Sequence, residues 1–210
     1  MRVRIVGDPT GADGVRSRRR VHLFPSVATR WMAALALTGT PGTGKSAVAR
    51  LLTRSLRVVE VRDLALAFGT GRLVGVGGLV DLRRTAEEWR ARRKKPAELV
   101  VGHLAHFLPI RDVVVLRCHP KELARRLRRS PGRPGLGVGQ NLAAEATDVI
   151  LVETLALRRR VWEIDTTHRA PSDVAREVLR RFRLRGPASY GSVDWLSDPW
   201  VSEHLLDWSP

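Results

Sequence analysis

The residues whose types and spacing most clearly indicate a chemical role form a glycine-rich segment, Gly39–Ser46, which reads GTPGTGKS. It matches the phosphate-binding pattern G-x-x-x-x-G-K-[ST] at every fixed position and lies between a predicted strand and a predicted helix. Its glycines let backbone N–H groups point inward as an anion site, to which the helix adds its positive end. We expect Lys45 to reach the β and γ phosphates of a nucleoside triphosphate and the Ser46 hydroxyl to bind Mg²⁺. The motif alone leaves the reaction open, because GTPases, ATPases, nucleotide kinases and sulfotransferase-like proteins all carry it.

Phosphoryl transfer also needs positive charge around the moving phosphate, and the arginine-rich segment Lys121–Arg133 is the best candidate to supply it. Arg126 and Arg129 are three residues apart on a predicted helix, so both can face a bound triphosphate. A solvated basic face, or a surface for RNA, is the alternative for these two side chains. For Arg125 and Arg128 it is the preferred interpretation.

Short apolar runs alternate with helical stretches along most of the chain. The predicted strands are Ala33–Thr38, Leu56–Val61, Leu99–Val101, Val113–Leu116 and Val161–Ile164. The predicted helices are Lys45–Ser55, Thr85–Lys95, Pro120–Arg129, Asn141–Leu157 and Pro171–Arg183. Because strands that alternate with helices of this length form right-handed crossovers, the sequence predicts an α/β fold with a parallel, doubly wound, five-stranded sheet.

The predicted nucleotide-binding domain covers residues 32–185. Two glycine-rich segments interrupt the alternation of strands and helices, Gly69–Gly78 and Ser130–Gly139, and both are expected to be mobile loops. The preceding residues, 1–31, have weak apolar periodicity. We expect one of two explanations. Either translation starts at Met32, and residues 1–31 were assigned to the protein in error, or these residues form a disordered basic arm.

The segment 186–210 forms a separate tail that is rich in tryptophan. It contains Trp195, Trp200 and Trp208, and aliphatic residues lie between them. Because indole side chains are rarely left in water, we expect the tail to dock on the domain as a short helix. A surface that binds a partner is the alternative.

The composition adds a strong positive charge. The chain has 37 Lys and Arg against 21 Asp and Glu, a net charge of +16. Such a surface favours polyanions such as RNA, nucleotides or anionic lipid, although a GC-rich genome that encodes arginine freely would give the same excess. The single cysteine, Cys118, excludes an internal disulfide and fits a cytoplasmic protein. No apolar run is long enough to span a membrane, and the N-terminal region is not interpreted as a signal peptide because Pro25 and Arg30 interrupt its apolar part.

Five motifs in order resemble the archaeal family named putative adenylate kinase, which is related to a eukaryotic nuclear adenylate kinase. The motifs are Gly39–Ser46, Gly102–Pro109 (GHLAHFLP), Val114–Pro120 (VVLRCHP), Asn141–Ile150 (NLAAEATDVI) and Glu163–Thr167 (EIDTT). The resemblance implies the nucleoside-monophosphate kinase fold, with a monophosphate-binding insertion at about 62–82 and a short lid at about 129–139. It also implies broad nucleotide kinase and ATPase activity. The resemblance also implies a role in maturation of 16S rRNA and of the small ribosomal subunit. In that role the protein would make transient contact with the pre-30S particle and with the eleventh small-subunit ribosomal protein.

By the same resemblance, residues of the glycine-rich segment and the helix after it bind the ATP phosphates. They are Gly39, Gly42, Thr43, Gly44, Lys45, Ser46 and Ala47. Arg126 matches the helix arginine that enters the lid. The family has an arginine at the position of Ser130, and in this chain either Arg129 or Arg133 replaces it or it is absent. Thr166 is expected near the adenine, and His103 beside the nucleotide.

The sequence departs from the family at the acceptor side of the site. Val101 stands where the family has an acidic residue, which leaves Asp63 and Asp81 as candidates for that carboxylate. The region Leu66–Gly78 is glycine-rich where the family shows acidic and aromatic residues. Monophosphate binding is therefore a weaker expectation than triphosphate binding.

A zinc site at His103 and His106 is not expected, because no third ligand lies nearby and Pro109 soon breaks the segment. Cys118 is expected to be packed rather than reactive.

Two functions follow from these patterns. The first is Mg²⁺-dependent transfer of the γ phosphoryl group of ATP to a nucleoside monophosphate, AMP before others. The second is an ATP-switched ribosome-assembly factor whose kinase activity is weak or lost, which the net charge, the basic segment Arg176–Arg185 and the tail all favour.

Overall fold

The computed structural model describes residues 34–74, 77–91, 98–129 and 137–208. The proposed N-terminal arm, Met32 and most of the proposed lid, with Ser130 and Arg133, lie outside these ranges.

Strands and helices alternate along the described chain as the sequence predicts. The strands are β1 (Ala34–Gly39), β2 (Arg57–Glu60), β3 (Gly71–Val74), β4 (Gly77–Val80), β5 (Glu98–Val101), β6 (Asp112–Arg117) and β7 (Arg160–Asp165). The helices are α1 (Lys45–Leu52), α2 (Val61–Ala67), α3 (Leu82–Ala91), α4 (Pro120–Arg129), α5 (Val138–Ala146), α6 (Val149–Ala156), α7 (Pro171–Leu184) and α8 (Pro199–Trp208).

Among the described residues, five parallel strands form the main sheet, in the order β2-β5-β1-β6-β7. Its central strands are apolar on both faces, and Leu35 and Leu37 pack on one side while Ala36 packs on the other. Helices α1 and α7 cover the first face. Helices α2, α3 and α6 cover the second. The doubly wound α/β fold is confirmed, and the carboxyl ends of β1, β2 and β5 lie side by side at one edge.

The first of the two segments predicted to be mobile loops, Gly69–Gly78, contains regular structure. β3 and β4 pair as an antiparallel hairpin, with Gly71 opposite Val80. The hairpin is joined to its surroundings by backbone hydrogen bonds, since Asp81 N donates to Thr70 O at 2.8 Å. Glycine content concealed the strands because it removed the alternation of side chains that predicts them.

The predicted helix Asn141–Leu157 is also wrong as a single element. It is divided into α5 and α6 by Thr147 and Asp148, and Asp148 has a left-handed backbone (φ 58°). The Asp148 carboxylate accepts a hydrogen bond from Arg117, which lies on β6. A contact between residues far apart in the chain therefore sets the break, and apolar periodicity does not reveal it.

The tail packs on the domain through its indoles and its backbone. Ser189 forms a bridge with β7, and Trp162 Nε1 donates to Pro187 O at 2.8 Å. Helix α8 then packs on α5, where Trp208 joins a small apolar cluster with Leu142. Within the described ranges, no helix has the length and apolar character needed to cross a membrane.

Candidate functional site: a phosphate loop between two clefts

The phosphate loop connects the end of β1 to the start of α1. Three of its glycines have left-handed backbones: Gly39 (φ 136°), Gly42 (φ 95°) and Gly44 (φ 97°). At Gly39 a Cβ atom would lie 2.3 Å from the carbonyl oxygen of Leu116 on β6, so a side chain is excluded by space as well as by conformation. The glycines thus set both the shape of the loop and its close approach to the sheet.

Lys45 lies folded over the phosphate loop. Its Nζ donates to Gly39 O at 2.7 Å and to Thr40 O at 2.8 Å. Burial lowers the pKa of Lys45 to about 8, although the nearby carboxylates of Glu145 and Glu60 act to raise it. The ammonium group is therefore held against the loop that the motif predicts to bind phosphate.

The lowered pKa of Lys45 predicts that ATP binding depends on pH. A bound triphosphate favours the charged lysine, so affinity is full below pH 8 and falls above it, by up to about tenfold per pH unit. Titrations of a fluorescent ATP analogue between pH 7 and pH 9.5 measure this directly. Lys45→Met is expected to bind more weakly and to lose the dependence. If affinity falls equally with pH in wild type and in Lys45→Met, the pH dependence does not come from Lys45.

A first cleft, of about 430 Å³, opens beside the phosphate loop at the carboxyl ends of β2 and β5. It is lined by Pro41, Gly42, Gly44, Lys45, Ser46, Ala47, Glu60, Val101, Gly102, His103 and Arg126. His103 and Ser46 are exposed to this cleft. It brings together the expected Mg²⁺ ligand, the expected charge stabilisers Lys45 and Arg126, and the expected substrate-binding His103.

Asp63 and Asp81, the two acidic residues predicted to serve the acceptor side, are not among the lining residues of the first cleft. The Asp63 side chain is exposed on α2 and lies 3.6 Å from Arg62. Asp81 accepts a hydrogen bond from Arg84 N at 3.0 Å, at the start of α3. The carboxylate that lines the cleft is instead Glu60, which sequence reasoning missed because it ends an ordinary strand and belongs to no motif.

A second cleft, of about 390 Å³, lies on the other side of the first turn of α1. Its lining residues are Thr43, Gly44, Ala47, Val48, Glu122, Arg125, Arg126, Thr166, His168, Arg169, Pro171 and Val174. Thr166, which is expected near the adenine, lines this cleft, and its hydroxyl donates to Thr43 O at 3.0 Å or to Arg117 O at 2.8 Å. Apolar, cationic and hydrogen-bonding groups together suit a heterocyclic base.

Arg126 lines both clefts, as do Gly44 and Ala47. Its guanidinium donates to Thr166 O at 2.9 Å and to Glu122 at 2.9 Å. Arg129, the other predicted catalytic arginine, is the exposed last residue of α4 and lines neither cleft. The structure therefore brings Arg126, but not Arg129, to the phosphate loop.

Behind the phosphate loop lies a buried ionic network that the sequence did not predict. The Thr40 hydroxyl donates to Glu145 at 2.5 Å. Glu145 also accepts from Arg117 Nε at 2.8 Å, Cys118 N at 2.9 Å and the indole of Trp195 at 3.3 Å. The loop, strand β6 and the tail are thereby joined at one carboxylate.

The remaining candidates occupy structural positions. His106 is buried, with Nδ1 3.1 Å from the Thr38 hydroxyl and Nε2 3.0 Å from Glu153, and burial lowers its pKa. Within the described ranges, no group of three or more His, Cys, Asp or Glu side chains could hold a metal ion. Burial raises the pKa of Cys118 to about 12, so it stays a thiol.

The match to a family and to a solved structure agrees with this geometry. Residues 35–148 match the protein family described as an AAA domain. The shikimate kinase of Acinetobacter baumannii, solved with shikimate, superposes with a TM-score of 0.53 at 22% identity, over 77% of this chain and 98% of that one. Sheet order, phosphate loop and family match together define a P-loop nucleotide-binding domain with a kinase fold.

Several archaeal proteins resemble this chain in sequence along nearly their whole length. Proteins named "Putative adenylate kinase" from Thermococcus kodakarensis and Pyrococcus furiosus are 40% and 39% identical over 77% of this chain, which is 92% and 90% of theirs. The namesake from Archaeoglobus fulgidus is 40% identical over 78% of this chain and 92% of its own. The chain belongs to the archaeal family named "Putative adenylate kinase", as its five motifs indicated, and is an ATP-using kinase.

Proposed function

We propose that this protein transfers the γ phosphoryl group of ATP to a nucleoside monophosphate, AMP before others. The observation that carries the proposal is the pair of clefts that meet at the phosphate loop and share Arg126. The second cleft suits the base of ATP. The first cleft gives the acceptor phosphate access to the γ phosphate.

In this proposal the chain works by positioning and by charge. The loop N–H groups and Lys45 hold the β and γ phosphates, and Arg126 neutralises charge that develops between donor and acceptor. The acceptor phosphate is already anionic at neutral pH, so its oxygen attacks without a general base. The lost acidic residue at Val101 is compatible with this mechanism.

The donor set of the first cleft fits Mg²⁺, because Ser46 and Glu60 present hard oxygen ligands beside the phosphate loop. Bound with ATP, the ion would supply charge neutralisation between the β and γ phosphates.

The dependence of ATP turnover on AMP tests the proposed acceptor. We expect AMP to accelerate ADP formation in a saturable way, with two ADP formed per AMP consumed. A slower ATPase activity without AMP is also proposed, because water can enter the exposed first cleft. A rate of ATP turnover indifferent to AMP would contradict the kinase and favour an ATP-driven assembly factor.

We further propose that the protein contacts the pre-30S particle during 16S rRNA maturation, with transient contact to the eleventh small-subunit ribosomal protein. The net charge of +16 supports contact with RNA. So does the exposed basic side of α7 and its end, which carries Arg176, Arg180, Arg183 and Arg185.

The salt dependence of RNA binding tests that second proposal. If phosphates are contacted, the logarithm of the binding constant falls linearly with the logarithm of salt concentration. Replacing Arg180 and Arg183 together by alanine should lower that slope by about 2, roughly 1 per lost phosphate contact. Filter binding to a 16S rRNA fragment at several salt concentrations gives the slope. A slope near zero in wild type would contradict RNA contact through this surface.

A further inference from the structure

Glu60 is the carboxylate that lines the first cleft, and the described contacts leave it available. It ends β2 and immediately precedes α2, yet its side chain forms no capping hydrogen bond to that helix. It is exposed and lies close enough to Lys45 to affect the charge on that side chain. A carboxylate held without a structural contact at a phosphate-binding cleft is free to serve a ligand.

The register of the sheet explains why this position can act at the site. Glu60 is the Cα partner of Val101 across β2 and β5, and Val101 in turn lies opposite Leu37 of β1. Val101 is apolar and 3% exposed, so the end of β5 offers the cleft no charge. The end of β2, one strand further from the phosphate loop, offers a glutamate that lines the same cleft as Lys45 and Ser46.

The chemistry of the cleft identifies the ligand. The other charged lining residues, Lys45 and Arg126, are cations that suit phosphate, whereas a carboxylate repels it. Ser46, on the same cleft, carries the hydroxyl of the phosphate-loop motif. A carboxylate beside such a hydroxyl suits a hard divalent cation that is itself bound by phosphate oxygens.

We propose that Glu60 binds the Mg²⁺ of the Mg²⁺–ATP complex, or one of its coordinated waters, together with Ser46. Glu60 thereby takes the part that a carboxylate at the end of β5 would otherwise play. The inference rests on ATP as the bound nucleotide, but it does not depend on which acceptor is used.

Metal binding, rather than activity, is the test. Free Mn²⁺, measured by electron paramagnetic resonance, reports the affinity of the complex of protein and non-hydrolysable ATP analogue for the ion. Glu60→Gln is expected to weaken that affinity by about 10- to 100-fold, as loss of a metal-site group does. Glu87→Gln is the matched control, since Glu87 is an exposed glutamate on α3 that pairs with Arg83. It should bind Mn²⁺ as wild type does.

A second titration separates metal binding from a general effect on the nucleotide. Without metal, Glu60→Gln should bind the analogue at least as tightly as wild type, because a negative charge beside the phosphates has been removed. Unchanged Mn²⁺ affinity in Glu60→Gln would overturn the proposal, as would an equal loss of affinity with and without metal. If Mn²⁺ affinity falls as expected but wild type does not phosphorylate AMP, the proposed acceptor fails and the role of Glu60 stands.

Discussion

Replacement of Lys45 by methionine is expected to reduce the rate of ATP turnover by about 10³-fold or more, in the range for loss of a transition-state charge contact. Lys45 is the lysine of the phosphate loop, and its ammonium group is held against the loop carbonyls at 2.7 and 2.8 Å. Methionine has similar length and removes the charge together with the N–H donors that reach Gly39 O and Thr40 O. The effect is therefore expected on kcat with little loss of folded protein.

Steady-state ADP formation with saturating Mg²⁺–ATP measures the Lys45→Met effect, and thermal melting checks that the variant is folded. Lys121→Met is the matched control, because Lys121 is an exposed lysine that lies over the Trp200 ring and far from the motif in sequence. It should retain wild-type turnover. Turnover within tenfold of wild type in Lys45→Met would contradict a catalytic role for Lys45 of the phosphate loop.

Arg117→Met is expected to have the largest effect on stability. Arg117 is 2% exposed and forms ion pairs with Glu145 (2.8 Å), Glu163 (2.6 Å) and Asp148. Removing the cation leaves carboxylates buried without compensation, which costs about 3–5 kcal/mol in the free energy of unfolding. For a domain of this size, that loss corresponds to a fall in Tm of roughly 6–20 °C.

Urea denaturation and thermal melting measure this loss. Arg176→Met is the control, since Arg176 is 77% exposed and its pair with Asp173 is expected to contribute no more than about 1 kcal/mol. Because Glu145 also holds Thr40 and Trp195, the Arg117 variant should lose tail packing and phosphate-loop order together. A fall in Tm no larger than that of the control would show that the network carries little stability.

The sequence was sufficient for the features that local patterns encode. The glycine-rich segment, its position between β1 and α1, and the parallel sheet follow from spacing and from apolar runs. Arg126 was one of two candidates, because the i, i+3 spacing predicts that Arg126 and Arg129 can both face a bound triphosphate. That Arg126 lines both clefts while Arg129 lines neither depends on how α4 packs against Thr166, which the helix periodicity alone cannot show.

The features that the sequence did not reveal depend on contacts between distant segments. The left-handed Asp148 that divides α5 from α6 is bound by Arg117, thirty-one residues earlier in the chain. Glu60 enters the site through the register of β2 against β5, not through proximity to a motif. Glu145 lies within a recognised motif, yet its role in supporting Thr40 of the phosphate loop became visible only in the fold.

The acceptor side illustrates how the fold changes the interpretation of a missing residue. From sequence, Val101 leaves a gap in charge that nearby aspartates should fill. In the structure, Asp63 and Asp81 lie on α2 and at the start of α3, outside the cleft, while Glu60 lines it. If Glu60 binds the ion as proposed, a role lost at the end of β5 is supplied from the neighbouring strand without any change in the motifs.

The fate of the γ phosphate distinguishes transfer to a nucleoside monophosphate from hydrolysis of ATP. The protein is incubated with ATP labelled at the γ phosphate, unlabelled AMP and Mg²⁺, and the products are separated. We expect the label to appear in ADP made from AMP, and Lys45→Met to abolish this product. Label found only in free phosphate, with AMP unchanged, would contradict phosphoryl transfer to a nucleoside monophosphate.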